Sequence, residues 1–366
     1  MRRRTRLTIL AVLLVDCLLV LAVLLRKQAP PEAARLLPGA DGFVYFDLKW
    51  VRRIDRLDQI QPVSHDPEYE QFIRETGFQF ERDLDEAAFA IHYPGSSAAH
   101  TAPRFTEIFS GRWNSGRVAN YLRKLSKNSE NYHGVDVFDI PLEGRTVRVA
   151  MLSVGTVAVS NADDPNIITS IIDRSRKLAS PFGGPALLRA YYKRVPFGSL
   201  AWAILGNPSR LEEGQVTSVV LPLDYRRLLN GSVLVASVRF LRALHVRAEA
   251  FFQSDSQASQ LTDRMGTLLT LFHGMQPALS SSGGTDQDVK RFFDSLKVAQ
   301  QDDRVVLSAV VPVDFIRKIF AEPPPNQLPT PPAAAEAEQV SPSPQPVAPK
   351  HEHKQSQHKL AVPSHQ

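Results

Sequence analysis

The amino-acid sequence predicts an α+β protein in three parts: an N-terminal transmembrane helix, two similar lobes of mixed or antiparallel sheet with packed helices, and a disordered Pro/His-rich tail. Three observations point there. An apolar run fills Leu7–Leu25. Between Leu37 and Phe320 the hydrophobic pattern switches repeatedly between periods of about 2 and about 3.6 residues, the marks of strands and helices sharing a core. From Glu322 onward the composition turns to Pro, Ala, Gln, Ser, Lys and His, which cannot build a core. The expected boundaries are residues 1–6 for a cytoplasmic stub, 7–25 for the membrane helix, 26–36 for a linker, 37–195 and 196–321 for the lobes, and 322–366 for the tail.

At about 1.5 Å of rise per residue the apolar run is roughly 28 Å long, close to a bilayer's hydrocarbon thickness. Arg2, Arg3, Arg4 and Arg6 precede it, which favours a cytoplasmic N-terminus and export of the chain beyond the run. The expected location is therefore the inner (cytoplasmic) membrane, single-pass, with the ectodomain in the periplasm or outside. A cleaved signal peptide is the rival. Its apolar region is shorter, about 7–15 residues, and ends at a small-x-small site. Here the longer run is followed by Gln28-Ala29-Pro30-Pro31. A lipoprotein signal does not fit, because Cys17, the single cysteine, follows Asp16 deep inside the run. A carboxylate such as Asp16 near a helix centre costs about 2.5–3.5 kcal/mol. It fits either a polar contact with a partner helix or a second copy of the chain, or a tolerated, protonated residue.

The formal net charge of +5 is local. Residues 1–27 hold six Lys/Arg and one acid, leaving 37 residues of each sign beyond them. The exported part is neutral overall, so no nucleic-acid partner is implied. With its one cysteine in the membrane run, the ectodomain has no internal disulfide, and a core of this size does not need one.

The elements follow in chain order. Phe43–Leu48 reads as a strand after the Gly39/Gly42 turn, and Ala87–His92 and Phe105–Gly111 as two more. Asn114 or Ser115 caps a helix with Val118, Tyr121, Leu122 and Leu125 on its apolar face. Strands come next at Val135–Ile140, Thr146–Ser153 and Thr156–Ser160, with turns at Gly144 and Gly155. A helix starts after Asp163-Asp164-Pro165 and turns Ile167, Ile168, Ile171 and Ile172 inward. Ser199–Leu205 is a strand, and Ser232–Phe252 a pair of strands whose even-numbered residues form the core face. Ser254 and Gln257 fit a capping box before a helix carrying Leu261, Met265, Leu268, Leu269 and Phe272. After a flexible turn at Ser280–Thr285 come a helix over Asp286–Val298, a strand over Arg304–Val311 and a short helix over Val313–Phe320. Arg117–Pro141 and Asp288–Pro312 both run helix, polar turn, strand, proline, with Val118, Tyr121, Leu122 and Leu125 in register with Val289, Phe292, Phe293 and Leu296. Asp41–Trp50 and Phe197–Gly206 each open a half with a strand. An internal duplication is the expectation.

Chemistry-bearing residues are sparse. His351, His353 and His358, with His365 beyond, place four of the ten histidines in the tail, where close imidazoles chelate zinc, copper or nickel. Neighbouring lysines oppose a cation there, and a solvated, disordered tail explains them better, so no metal site is assigned. Arg239, Arg242, His245 and Arg247 form a basic cluster that could bind an anion, but Arg239, His245 and Arg247 share the odd-numbered face opposite the core, so a solvated sheet face fits better. Asp163 and Asp164 fit helix capping better than metal ligation. Asp83, Asp85 and Glu86 fit a turn or helix start. His65, His92, His100, His133 and His273 stand singly. There is no G-x-S-x-G elbow, P-loop or dinucleotide fingerprint, so neither a catalytic residue nor a cofactor is assigned.

Residues 36–42 (LLPGADG), 80–86 (FERDLDE) and 285–290 (TDQDVK) resemble stretches of uncharacterised, membrane-anchored bacterial proteins of the acidobacterial type. The resemblance spans most of residues 36–320 and implies an α+β ectodomain. Its motifs are turns and helix starts, and it brings no activity. The expected function is a membrane-anchored, non-enzymatic binding or scaffold ectodomain with a protein or envelope-polymer partner and possible self-association through the helix. An envelope hydrolase with a site assembled between the lobes is the alternative. A ligand sensor fits less well, because residues 1–6 leave no room for an output domain.

Overall fold

The computed structural model describes residues 29–52, 65–93, 102–142, 144–177, 184–208, 229–280 and 287–312. The expected membrane helix 7–25 with Asp16, the turn over 281–285, the helix over 313–320 and the tail with His351, His353 and His358 lie outside them. Among the described residues no helix is long and apolar enough to cross a membrane.

Twelve strands form one antiparallel sheet: β1 (Gly42–Asp47), β2 (Leu84–His92), β3 (Arg104–Gly111), β4 (Asn128–Tyr132), β5 (Val135–Leu142), β6 (Arg145–Ser153), β7 (Thr156–Ser160), β8 (Ser199–Gly206), β9 (Val233–Phe240), β10 (Leu244–Phe251), β11 (Lys297–Gln301) and β12 (Arg304–Val311). Their spatial order is β11-β12-β10-β9-β8-β1-β2-β3-β7-β6-β5-β4. The strands expected to open the two halves, β1 and β8, pair at the centre, with Tyr45 opposite Trp202. The two halves therefore share a continuous sheet through that pairing. The hairpins β4–β5 and β11–β12 form its two edges, each preceded by an amphipathic helix.

Nine α-helices are described: α1 (Glu32–Leu36), α2 (Leu48–Val51), α3 (Pro67–Thr76), α4 (Phe80–Asp83), α5 (Ser115–Leu125), α6 (Asn166–Lys177), α7 (Ala186–Tyr191), α8 (Asp255–Ser280) and α9 (Gln287–Ser295). One face of the sheet carries Phe43, Tyr45, Ala88, Ala90, Ile108, Ala150, Ala158, Trp202, Ile204 and Val235, all buried with residues of α1, α6 and α7. The alanines let helices approach closely, so that Ile168, Ile171 and Ile172 of α6 and Ala33, Ala34 and Leu36 of α1 sit on the strands almost without exposure. Each large aliphatic chain buried this way contributes about 1.5–3 kcal/mol. The opposite face is covered in two patches. Phe78, Leu84, Ala87, Phe138 and Val149 lie near α3 and α5 at one side, and Ala250, Phe252 and Val305 pack with Ala258 and Leu261 of α8 at the other.

Several expectations need correction. The stretch 26–36 is not all linker, because Ala33, Ala34 and Leu36 are core residues of α1; a Pro/Ala composition hides a short buried helix. The helix over Asp286–Val298 ends at Ser295, and Val298 belongs to β11. Strands β4 and β11, of sequence NSENY and KVAQQ, carry no apolar alternation because they are exposed sheet edges, where polar residues discourage further pairing. In β9 and β10 the odd-numbered face is not a solvated surface: Val235, Ser237 and Glu249 are buried there, whereas most even-numbered residues are half-buried. Alternation separates two faces of a strand but does not say which layer covers each. The Asn114 cap forms as expected, its side chain accepting from the Arg117 backbone N–H at 3.0 Å. The Ser254/Gln257 box does not: Gln257 accepts from the Gln253 N–H at 3.3 Å, and the Ser254 hydroxyl lies 3.1 Å from that of Ser256.

Candidate functional site

The basic cluster of β9 and β10 divides on folding. Glu249 is buried and accepts from Arg247 Nε at 2.8 Å and from Arg304 Nη1 at 3.1 Å. The guanidinium of Arg304 also lies 5.9 Å from the Phe251 ring centroid, and that of Arg194 lies 5.4 Å from it. Arg247 is thereby consumed in a structural ion-pair network. Arg239 and His245 face each other across the hairpin, and Arg242 stands exposed at its tip. Glu249 was missed in sequence because a lone acid on a polar-looking face gives no sign of burial.

Asp164 caps α6 by accepting from the Asn166 N–H at 2.9 Å, whereas Asp163 pairs with Arg104 at 3.1 Å. Asp83 ends α4 and pairs with Arg82 at 2.6 Å, and Asp85 pairs with Arg52. Glu86 lies directly across from Asp47 in β1. Burial first, then the Asp47 charge, raises its pKa above the usual carboxylate value. The ring of Tyr45 stacks on Trp202 at 5.5 Å, and Tyr192 meets that indole edge-on at 5.4 Å. Asp47 accepts from the Trp50 N–H at 3.0 Å as the α2 cap. Glu86 and Asp47 thus face each other on adjacent strands of the sheet.

His92 Nε2 lies 3.1 Å from Thr106 Oγ1, which lies 3.0 Å from Ser160 Oγ. The order resembles a nucleophile relay, but Thr106 and Ser160 are 0% and 2% exposed, so no substrate carbonyl reaches either oxygen. Burial lowers the His92 pKa below the usual imidazole value. His65 pairs with Glu81 at 3.3 Å, and His133 occupies the β4–β5 turn; His100 and the His273 side chain lie outside the described residues. Among the described residues no three His, Cys, Asp or Glu side chains converge as a metal site.

What remains is surface. On the face of the sheet carrying α8, the middle strands present Val44 and Phe46 of β1, Ala201 and Ala203 of β8, Ala236 and Val238 of β9 and Val246 and Ala248 of β10. All are half-buried apart from Phe46, which is exposed, in contrast to the buried residues directly behind them. The same face carries Glu107 of β3, whose pKa burial raises above the usual carboxylate value. The combination is an apolar floor with one half-buried carboxyl beside it. No residue of this floor is distinctive in sequence, since small and β-branched residues in alternation mark any strand.

These features define an α+β protein built on a large, open antiparallel sheet. The sequence matches no protein-family model and no curated protein. In shape it is similar to TP0453 in crystal forms I, III and IV, with TM-scores of 0.39, 0.40 and 0.38 and identities of 11%, 11% and 12%. Each match covers 80% of this chain and 98% of the other. A likeness at that level carries no argument about activity.

Proposed function

We propose that this chain is a membrane-anchored envelope protein whose exported part is a binding or scaffold module. Residues 7–25 hold it in the inner membrane, and the two halves of the sheet arose by duplication. The likeness of the helix–hairpin units α5–β4–β5 and α9–β11–β12, at opposite edges of the sheet, supports the duplication. The observation that carries the binding role is the half-exposed apolar floor of β1, β8, β9 and β10, flanked by Glu107 as a polar handle. Apolar surface with few polar groups is the usual composition of a binding site. The partner is a protein or an envelope polymer presenting apolar groups.

The test is affinity capture of the tagged, membrane-embedded chain, with an Ala203→Arg variant in parallel. Wild type is expected to retain partners that the variant loses, because an arginine in the middle of the floor places a charge against apolar surface. Recovery of the chain alone, together with hydrolysis of ester or glycoside substrates by the purified protein, contradicts this function and favours the hydrolase.

A further inference from the structure

We propose that the end of the sheet bearing Phe46, Trp50, Phe197 and Leu241 docks onto the headgroup surface of the bilayer that holds the anchor, with Arg242 and Arg239 against lipid phosphate. This rests on the anchored topology proposed above.

The strand registers bring these residues together from distant parts of the chain. Phe46 lies opposite Ala201, so the Phe197 turn that precedes β8 falls beside the end of β1, where α2 carries Trp50. Ser199 lies opposite Arg239, and Phe240 opposite Leu244, so the β9–β10 turn with Leu241 and Arg242 reaches the same end. Neighbouring strands are about 4.8 Å apart, which puts β1 through β10 within roughly 15 Å. Trp50 is 54% exposed, Phe197 71%, Leu241 56% and Phe46 39%; these are four of the nine exposed large hydrophobic residues among those described. Such a concentration of apolar side chains in water marks a contact surface, and a tryptophan beside cations suits the membrane interface.

The backbone gives a second, independent observation. Among the described residues four non-glycines have positive φ, and three of them are His133, Asn207 and Asp302. Those residue types tolerate the left-handed region, whereas a long side chain such as that of Arg242, at φ 69°, is an outlier there. Strain kept at an exposed tip suggests a role for the guanidinium. The hairpin contains no acid between Val233 and Ala248. Two carboxylates of neighbouring strands are engaged elsewhere, Asp85 with Arg52 and Asp47 at the α2 cap.

The tether limits the distance. Helix α1, which the tether enters at Glu32, packs on β2 and β3 of this sheet. From Arg26 to Glu32 the chain spans at most about 25 Å when extended, so the sheet stays within reach of the bilayer that holds the anchor.

The full chain, reconstituted in vesicles of phosphatidylcholine and phosphatidylglycerol, tests the proposal by quenching of tryptophan emission with brominated lipids. Wild type should show a quenched component that falls sharply in Trp50→Phe, since Trp202 is buried in the core and Trp113, the third tryptophan, is half-buried. Arg242→Gln should lower the docked-to-undocked ratio about fivefold, the effect of one cation near an anionic surface. Leu241→Asp, which keeps Trp50 as the reporter, should also lose the quenching and serves if Trp50→Phe misfolds. Unquenched Trp50 in a chain that resists alkaline extraction overturns docking and leaves the anchor standing. A chain released by alkaline extraction overturns the anchor, and docking with it.

Discussion

Glu249→Ala removes the carboxylate at the centre of the β10–β12 ion-pair network. The side chain of Glu249 is 5% exposed and accepts two charge-assisted hydrogen bonds, at 2.8 and 3.1 Å. Breaking a fully buried pair by deleting one partner costs about 3–5 kcal/mol, because the remaining charge stays desolvated. Here the orphaned cations are partly wet, with Arg247 40% and Arg304 22% exposed, so both recover some hydration. Contact with Phe251 keeps Arg304 from swinging fully into water. A loss of about 2–4 kcal/mol is expected. Urea unfolding of the full chain in detergent, followed by circular dichroism, should show a midpoint lowered by about 1 M. Arg247→Ala, which removes the more exposed cation and leaves Glu249 paired to Arg304, should cost about 1 kcal/mol. A loss below about 1 kcal/mol for Glu249→Ala would refute the view that this network holds the second half of the sheet together.

Other perturbations have defined signs. Burial raises the folded-state pKa of Glu107, so the folded protein resists its ionisation. That destabilisation is absent below the unfolded pKa and develops as pH rises through the folded value. Glu107→Gln should therefore raise the melting temperature at pH 7 and leave it unchanged near about pH 4. Gly111→Ala would place a Cβ 2.5 Å from the Asp83 carbonyl oxygen and 2.9 Å from the Trp113 ring, and should cost about 1–3 kcal/mol by thermal denaturation. Arg242→Gly relieves a positive φ and should stabilise the fold by about 0.5–1 kcal/mol while weakening membrane docking, opposite effects in two assays.

Where an element has one wet and one dry face, its pattern was readable: β1, β3, β8 and β12 lie within a residue or two of their expected bounds, and Asn114 caps α5 as anticipated. Elements without that contrast were hidden. β4 and β11 are exposed on both faces, and α1 is too short for a periodic stripe although Ala33 and Ala34 are buried. The candidate surface was less legible still. Trp50, Phe197 and Leu241 lie far apart in sequence and meet only because β1, β8, β9 and β10 are consecutive neighbours in the sheet. The conspicuous basic cluster misled, since Arg247 is absorbed by an acid whose burial no local pattern reveals.

Orientation of the chain in the membrane underlies both the binding role and the docking surface. Compartment-sensitive reporters fused at Gln28 and at Gln366 measure it in cells. Signal from the exported side at both positions, with the chain retained in membranes after alkaline extraction, is the predicted result. A cytoplasmic signal from either fusion would contradict the anchored ectodomain and the docking surface that depends on it.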